Sequence, residues 1–553
     1  MTVGRGLGLK SASLLLLGLM VGAGVTIGAL ALASAWLGGG PVDAGLDAPL
    51  FVEVGSVSEV DHRYEGEFEF FVGGGVASFD CDGDDLPDLF FAGGSGRAGL
   101  YVNTSDPVGD ISFIPKPGEE TDLVDVTGAY PIDIDSDGLM DLVVLRRGAN
   151  VVLRGTGECV FERANELWNI DGGDHWTVGF SAFWEPGAAL PTLAFGNYLR
   201  ISESGDRDEC EDHFLFRPAD ATSYSGAETL SPGYCTLSIL FSDWNRSGSP
   251  DLRMTNDRHY YTDGQEQLWA MDDEPALHGE EEGWRSLNIW GMGIASQDLD
   301  YDGLPEVYLT SQGDNKLQTL AAGAGRPEYE DIALASGVSA HRPFAGDTLR
   351  PSTAWHAEFD DVNNDSFLDL FVTKGNVEAQ VDFASEDPNN LLIGQPDGTF
   401  LESAGEAGLL DFERSRGAAL VDLNLDGLLD VVVVERRRPV KIWVNTGRAG
   451  DGSASGNWLL LELTQPATNR QAIGAWVELD LGDRVVSREV TIGGGHASGQ
   501  VGPVHFGIGR RSQARVRVVW PDGDVGGWET FEANRRYEWQ GGSVPVEQAN
   551  WAD

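Results

Sequence analysis

The feature that most constrains this chain is an Asp-rich loop that returns about every fifty to sixty residues, each time between two short apolar runs. The first copy is FDCDGDDLPDLFFAGG, with Asp80, Asp82, Asp84 and Asp88. IDIDSDGLMDLVVL follows, with Asp133, Asp135, Asp137 and Asp141. SDWNRSGSPDLRM carries Asp243, Asn245, Ser247 and Asp251, and QDLDYDGLPEVYL carries Asp298, Asp300, Asp302 and Glu306. The last two, DDVNNDSFLDLFV and VDLNLDGLLDVVVV, place Asp361, Asn363, Asp365 and Asp369, then Asp422, Asn424, Asp426 and Asp430. The interval between the second and third copies is double the others. A unit that has lost its acids, FSAFWEPGAALPTLAFGNYL around Phe183 to Tyr198, fills it.

Each unit reads as strand, tight acidic loop, strand, then a polar stretch with weaker strands. SFIPKPG, CVFERANEL, YEDIALASGV and GTFLESAGEAGL recur as its outer part. A unit of this size cannot cover its own two faces and must stack on neighbours, so about seven predict an all-β ring, a seven-bladed β-propeller over residues 50–447. Phe51 to Val60 resembles an outer strand without a loop of its own. It is expected to join the unit containing Asp422 and close the ring.

The loop acids stand at relative positions one, three, five and nine. Alternate side chains of a tight turn converge on one point, and hard carboxylate oxygens with a backbone carbonyl between them match the shell that Ca²⁺ takes. Gly138, Gly303 and Gly427 at position six suit a backbone with positive φ, while Asp85 and Ser366 take that place in two other copies. Asp, Asn and Gly also build metal-free turns. Five loops with all four positions filled favour about five structural Ca²⁺ sites. The Asp243 copy, with Ser247 at position five, is expected to bind weakly. Zinc is disfavoured, because the loops hold no His and no Cys-x-x-Cys spacing occurs.

The formal net charge of −51 over 553 residues excludes a nucleic-acid partner, which needs Lys and Arg, and makes divalent cations the natural counter-charge. Within residues 1–40, Arg5 and Lys10 precede an uncharged run from Ser11 to about Trp36. That length suits a membrane-anchoring helix, and Ala33-Ser34-Ala35 suits a cleaved signal peptide. Either reading places the body outside the cytoplasm. Four cysteines permit two disulfides. Cys210 and Cys235 flank one insertion and are paired first, leaving Cys81 with Cys159.

The loops resemble the FG-GAP/VCBS repeats of integrin α-subunit propellers and bacterial surface proteins, over about Phe51 to Gly447. Further on, NWLLLELT, NRQAIGAWVEL, GGGHASGQ, VHFGIG and VRVVWPDG resemble, in that order, the ASPIC/UnbV domain of the cartilage acidic protein family. That resemblance implies an exported calcium-binding propeller followed by a small β-domain over 457–540, and no known reaction. His496-Ala497-Ser498-Gly499-Gln500 departs from the family, which carries an aromatic residue followed by Ser-Gln without the extra Gly. The tail is β by its own pattern, Val516, Val518 and Trp520 alternating with Arg515, Arg517 and Val519. Residues 541–553 read as a polar tail.

No metalloprotease helix, Gly-x-Ser-x-Gly elbow or P-loop occurs. The strands entering the acidic loops carry His175-Trp176, Trp290-Gly291-Met292 and Trp355-His356. With His62 and Arg416 these could line the ring axis, either as packing or as a site, and His356 and Arg416 are the weak catalytic candidates. The polar insertion from about Ser202 to Tyr234 is a second candidate surface. The leading expectation is a protein- or glycan-recognition module at the cell surface, acting through the face opposite the calcium loops. The alternatives are a carbohydrate-active lyase or dehydratase using the axis, and an accessory subunit of a membrane complex held by the N-terminal segment.

Overall fold

The computed structural model describes residues 45–54, 60–200, 209–258 and 264–548. The N-terminal apolar run and the last five residues lie outside the described residues. Among the described residues, no helix is long and apolar enough to cross a membrane.

Among the described residues the short apolar runs form strands in seven antiparallel sets of four (meanders), the second and third joined in one nine-stranded sheet through His175–Trp176. Their first strands are Val76–Phe79, Val124–Ile132, His175–Phe183, Thr236–Ser242, Gly291–Gln297, Ala354–Asp360 and Ser415–Val421. Each first strand packs beside the next, and Ser415–Val421 packs beside Val76–Phe79. Neighbouring meanders cover both faces of a strand. Runs such as Val431–Val434 are therefore buried throughout rather than alternating. The fold is all-β and propeller-like.

The strand before the first meander completes the last one. Pro49–Glu53 pairs antiparallel with Lys441–Ala449, Phe51 opposite Asn445, in the sheet that carries the Asp422 loop. Phe51 packs there with Trp443, Val431 and Leu391. First and last parts of the ring are thus held by one sheet, as the sequence led us to expect.

The stretch read as an insertion is in part structural. His213–Phe216 and Glu228–Leu230 are the third and fourth strands of the acid-free third meander. Their short runs, HFLF and ETL, sit among polar residues and hide the strand pattern. Residues 201–208 lie outside the described residues. The two disulfides are Cys210–Cys235 within this region and Cys81–Cys159 between the first two meanders.

The C-terminal part folds as two four-stranded sheets. One orders Val504–Gly509, Asn457–Thr464, Arg535–Gln540 and Val546–Glu547. The other orders Val485–Glu489, Trp476–Asp480, Gln513–Val519 and Glu529–Glu532. Leu459, Leu461, Val477, Val516, Val518 and Trp520 share their core. The polar run after Gly541 contributes its own strand, Val546 opposite Glu538.

A segment of this C-terminal part, Ile492–Val501, runs through the centre of the ring and touches all seven first strands. Gly494 N–H donates to Ile239 O (2.8 Å) and Gly495 N–H to Ile294 O (2.6 Å). Ser181 Oγ donates to Ile492 O (2.5 Å), and Ala129 N–H to Ala497 O (3.3 Å). Gly499–Gln500 pairs in parallel with Ala77–Ser78. His496 N–H donates to His356 Nδ1 (3.1 Å), and Ser498 Oγ lies against Gly417.

Two glycines exist for this close approach. A Cβ on Gly75 would stand 1.7 Å from Ala497 O, and one on Gly128 would stand 2.3 Å from the same oxygen. Gly128→Ala is therefore expected to destabilise the chain by about 3 kcal/mol through overpacking. It should also raise amide exchange across 492–501. An unchanged melting temperature with unchanged exchange there would show that the segment is not held as described.

Candidate metal centres

Each acidic loop turns a first strand into a second, and the second strand begins on the ninth-position acid. In the five loops with all four positions filled that acid is buried and accepts from the turn before it and from the third strand of its unit. Asp141 accepts from Ile134 N–H (2.8 Å) and Gly155 N–H (2.9 Å). Asp88 takes Cys81 and Asn103 N–H, Asp369 takes Val362 and Gly394, and Asp430 takes Leu423 and Asn445. Glu306 takes Leu299 N–H and the Thr319 hydroxyl.

The first-position acid closes the turn. Its carboxylate accepts the N–H of position six in all five loops with four filled positions: Asp85, Gly138, Gly303, Ser366 and Gly427. Position six is left-handed throughout, at φ 74° even for Asp85 and 75° for Ser366.

Carboxylate oxygens converge within 4.8 Å in three loops, as Asp80/Asp82/Asp88, Asp133/Asp135/Asp141 and Asp298/Asp300/Asp302. Asp298 Oδ1 and Asp82 Oδ1 are buried without a hydrogen-bond partner. The donors are oxygens alone, which fits a hard cation such as Ca²⁺ and not zinc. In the Asp361 and Asp422 loops the position-three Asn side chains also tie the loop to the chain, Asn363 donating to Leu46 O (2.9 Å) and Asn424 to Gly109 O (2.9 Å).

The Asp243 loop satisfies itself instead. Ser247 Oγ donates to Asp243, while Asp251 accepts from Trp244 Nε1 (2.8 Å) and lies 2.9 Å from His278 Nε2. Arg154 is a residue that motif reading passed over. Its Nε donates to Asp135 Oδ2 (2.7 Å) and its Nη2 to Asp137, so a guanidinium holds positions three and five of the second loop. The signal was present in the sequence as an Arg in an otherwise apolar outer strand, VVLRG.

Burial and neighbouring carboxylates raise these acids. Burial first, with Asp82 and Asp80 adding to it, pushes Asp88 up to about 8. Burial and Asp426 push Asp422 up to about 8. Asp298 and Glu306 rise to about 7 for the same two reasons.

The C-terminal part packs on the loops. Asp133 N–H donates to Gln471 (3.0 Å), Asn469 N–H to Ser136 Oγ (3.0 Å), and Arg536 to Asp85 (2.7 Å). Arg246 pairs with Glu478 at 2.5 Å, and Arg484 donates to Ser366 Oγ at 2.6 Å. Burial alone would raise Asp360, but Arg488 (2.7 Å) and His505 (3.3 Å) outweigh it and hold its carboxyl well below the usual range.

The catalytic candidates meet no open axis. His356 is buried between His496 N–H and Glu358. Arg416 is fully buried, stacked 3.9 Å over Trp355, and donates to Phe71, Ser415 and Val377 carbonyls. His496 accepts from Gly73 N–H and bonds Met292 O, and burial pushes it down to about 3, so it is a neutral packing group. Trp176, Trp355 and Met292 pack in one cluster with Val72 and Ala497, as aromatics crowded at a ring centre do. His175 lies 2.9 Å from Glu211, and Trp290 packs edge-on against Phe383. His62 does not approach the axis. It stacks on Phe91 inside the first meander and bonds Ala92 O.

Comparison with known families meets this geometry at the loops and at the C-terminal part. The FG-GAP-like repeat family matches residues 80–144 and 361–433, and the family described as ASPIC and UnbV matches residues 465–544. The chain carries FG-GAP-like repeats and an ASPIC/UnbV domain. Cartilage acidic protein 1 of Mus musculus is 27% identical over 244 residues, 42% of this chain and 34% of that protein. The Homo sapiens protein of the same name is 26% identical over 319 residues, 56% of this chain and 42% of its own length. The matches thus span well under two thirds of these relatives. A crystal structure of BBS1N in complex with ARL6DN aligns over 73% of this chain and 98% of its own, at 13% identity and a TM-score of 0.39, too distant to carry an argument.

The raised acids set a pH dependence for the metal-free chain. Folded Asp88 and Asp422 hold protons up to about 8, whereas the unfolded chain releases them near 3.8. The folded state then binds more protons across that window, and stability falls as pH rises through it. Melting in chelator is expected at a lower temperature at pH 8 than at pH 5. A melting temperature that rises over this interval contradicts the crowding of these acids.

Proposed function

We propose that this chain is an extracytoplasmic, calcium-binding, seven-bladed propeller that serves as a recognition or scaffold module for a protein or glycan. The recognising surface is the face opposite the acidic loops. The observation that supports this most is the placement of the ASPIC/UnbV domain. It packs on the loops and fills the ring axis with Ile492–Val501, which leaves the opposite face for a partner. The filled axis also weighs against a lyase or dehydratase working there, since His356 and Arg416 are buried.

Calcium is proposed at the loops of Asp80, Asp133, Asp298, Asp361 and Asp422. The oxygen-only donors, the left-handed sixth position and the buried, crowded carboxylates support it. A bound Ca²⁺ would neutralise the acids and cross-link the turn. The two disulfides suit an oxidising compartment, and the extracellular reading draws on the cartilage acidic protein relatives as well. Attachment to a membrane or its complexes rests on the N-terminal run alone.

Two measurements test this. Metal analysis and calorimetry should find calcium, and each site at a hundred times its dissociation constant should add about 2.7 kcal/mol. The gain should be larger at pH 8 than at pH 5, because the ion must displace protons from the raised acids. Identical melting with calcium and with chelator would remove the calcium reading. For recognition, Leu349 and Val381 are 82% and 77% exposed at the strand ends away from the acidic loops. Glycan-array and extracellular-protein binding should fall at least about ten-fold in Leu349→Asp/Val381→Asp, with melting unchanged, as expected for exposed anchor residues. Full binding by that variant would move the surface elsewhere.

A further inference from the structure

We propose that Arg154 is a resident counter-cation that makes the Asp133 loop the weakest of the five candidate calcium sites, filled only after the other four. This rests on the calcium reading above and concerns one residue's effect on one loop.

The five loops fill the same four positions with Asp, Asn or Glu and differ in what faces the ninth. The strand pairs Leu89–Tyr101, Leu142–Leu153, Val307–Gln318, Leu370–Leu392 and Val431–Trp443 share one register. One step along, the residue opposite the ninth-position acid is Val102, Arg154, Thr319, Ile393 or Val444. Four of these cannot offer positive charge. Arg154 does, and it reaches into its loop with Nε 2.7 Å from Asp135 Oδ2 and Nη2 on Asp137. The side chains of Arg154 and both acids are each less than a third exposed, so the forked, charge-assisted contact is partly shielded from water.

A calcium ion in this loop needs the oxygens of Asp135 and Asp137 that the guanidinium holds. Loading must therefore displace Arg154. A second acceptor is at hand: Glu162 lies opposite Arg154 on the neighbouring strand, its Oε1 3.6 Å from Nη1. The loop's other side meets the ASPIC/UnbV domain through Gln471 and Asn469, so the exchange takes place at the boundary between the two parts.

The test is a calcium titration of the full chain by calorimetry and by competition with a chromophoric chelator, with circular dichroism to confirm folding. The wild-type chain should show one site at least about ten-fold weaker than the rest, since the ion must break a forked charge-assisted contact. Arg154→Gln should tighten that site by about ten-fold and leave the others in place. Arg154→Lys, which keeps the charge and loses the fork, should fall between them. Adding Asp137→Asn to Arg154→Gln should abolish the tightened site and so assign it. Calcium binding with affinities unchanged in Arg154→Gln, or a site weakened by it, overturns the role of Arg154 while the calcium reading stands. No binding by any form overturns both.

Discussion

Four of the repeats are organised around a carboxylate that has left water to accept two backbone N–H groups from its own unit. Asp88, Asp141, Asp369 and Asp430 are all buried, and each bridges the turn before it and the third strand beside it. Such a group is costly to bury unless its oxygens are satisfied, and two backbone donors do this while fixing the register of the strands. The other loop acids are then held close to a buried carboxyl that is fixed in place. Burial first, and then the neighbouring acids Asp300 and Asp302 in one loop and Asp426 in the other, raises Asp298 and Asp422. The loops partner their acids differently: Arg154 supplies a guanidinium in one, and the Asp243 loop uses Ser247, Trp244 and His278.

The same ring carries a second constraint at its centre. Seven first strands converge there, and the gap between them is filled by backbone from Ile492–Val501 together with side chains such as Trp355, Trp176 and His496. Backbone needs hydrogen-bond partners when buried, and the surrounding strands provide them through Ile239, Ile294 and Ala129. Glycines at 75 and 128 give the clearance. His496, Ala497, Ser498 and Gly499, which depart from the family pattern, all lie in this central segment. The filled axis turns His356 and Arg416 from candidate reagents into wall material.

Much of the fold was legible because its period is long and its loop chemistry is distinctive. Acids at one, three, five and nine marked six turns, the doubled interval located the seventh unit, and the loopless strand near Phe51 pointed to the pairing with Lys441–Ala449. The third and fourth strands of the third unit escaped because HFLF and ETL are too short for a period to register. Arg154 and the central segment escaped for another reason. Their importance lies in what they face, Asp135 and Asp137 in one case and seven strands in the other, and no spacing along the chain encodes that.

The sequence by itself determined the repeating unit, the oxygen-only character of its loops and the strongly acidic charge, since these depend on residue type at short separations. Only the tertiary structure decided which loop has its own counter-cation, which acids lose water, and that the ASPIC/UnbV domain closes the axis. Those outcomes depend on groups brought together across long stretches of chain, as His496 is with His356 and Gly73. Burial and partnership, which set the behaviour of a charge, exist only once those groups have met.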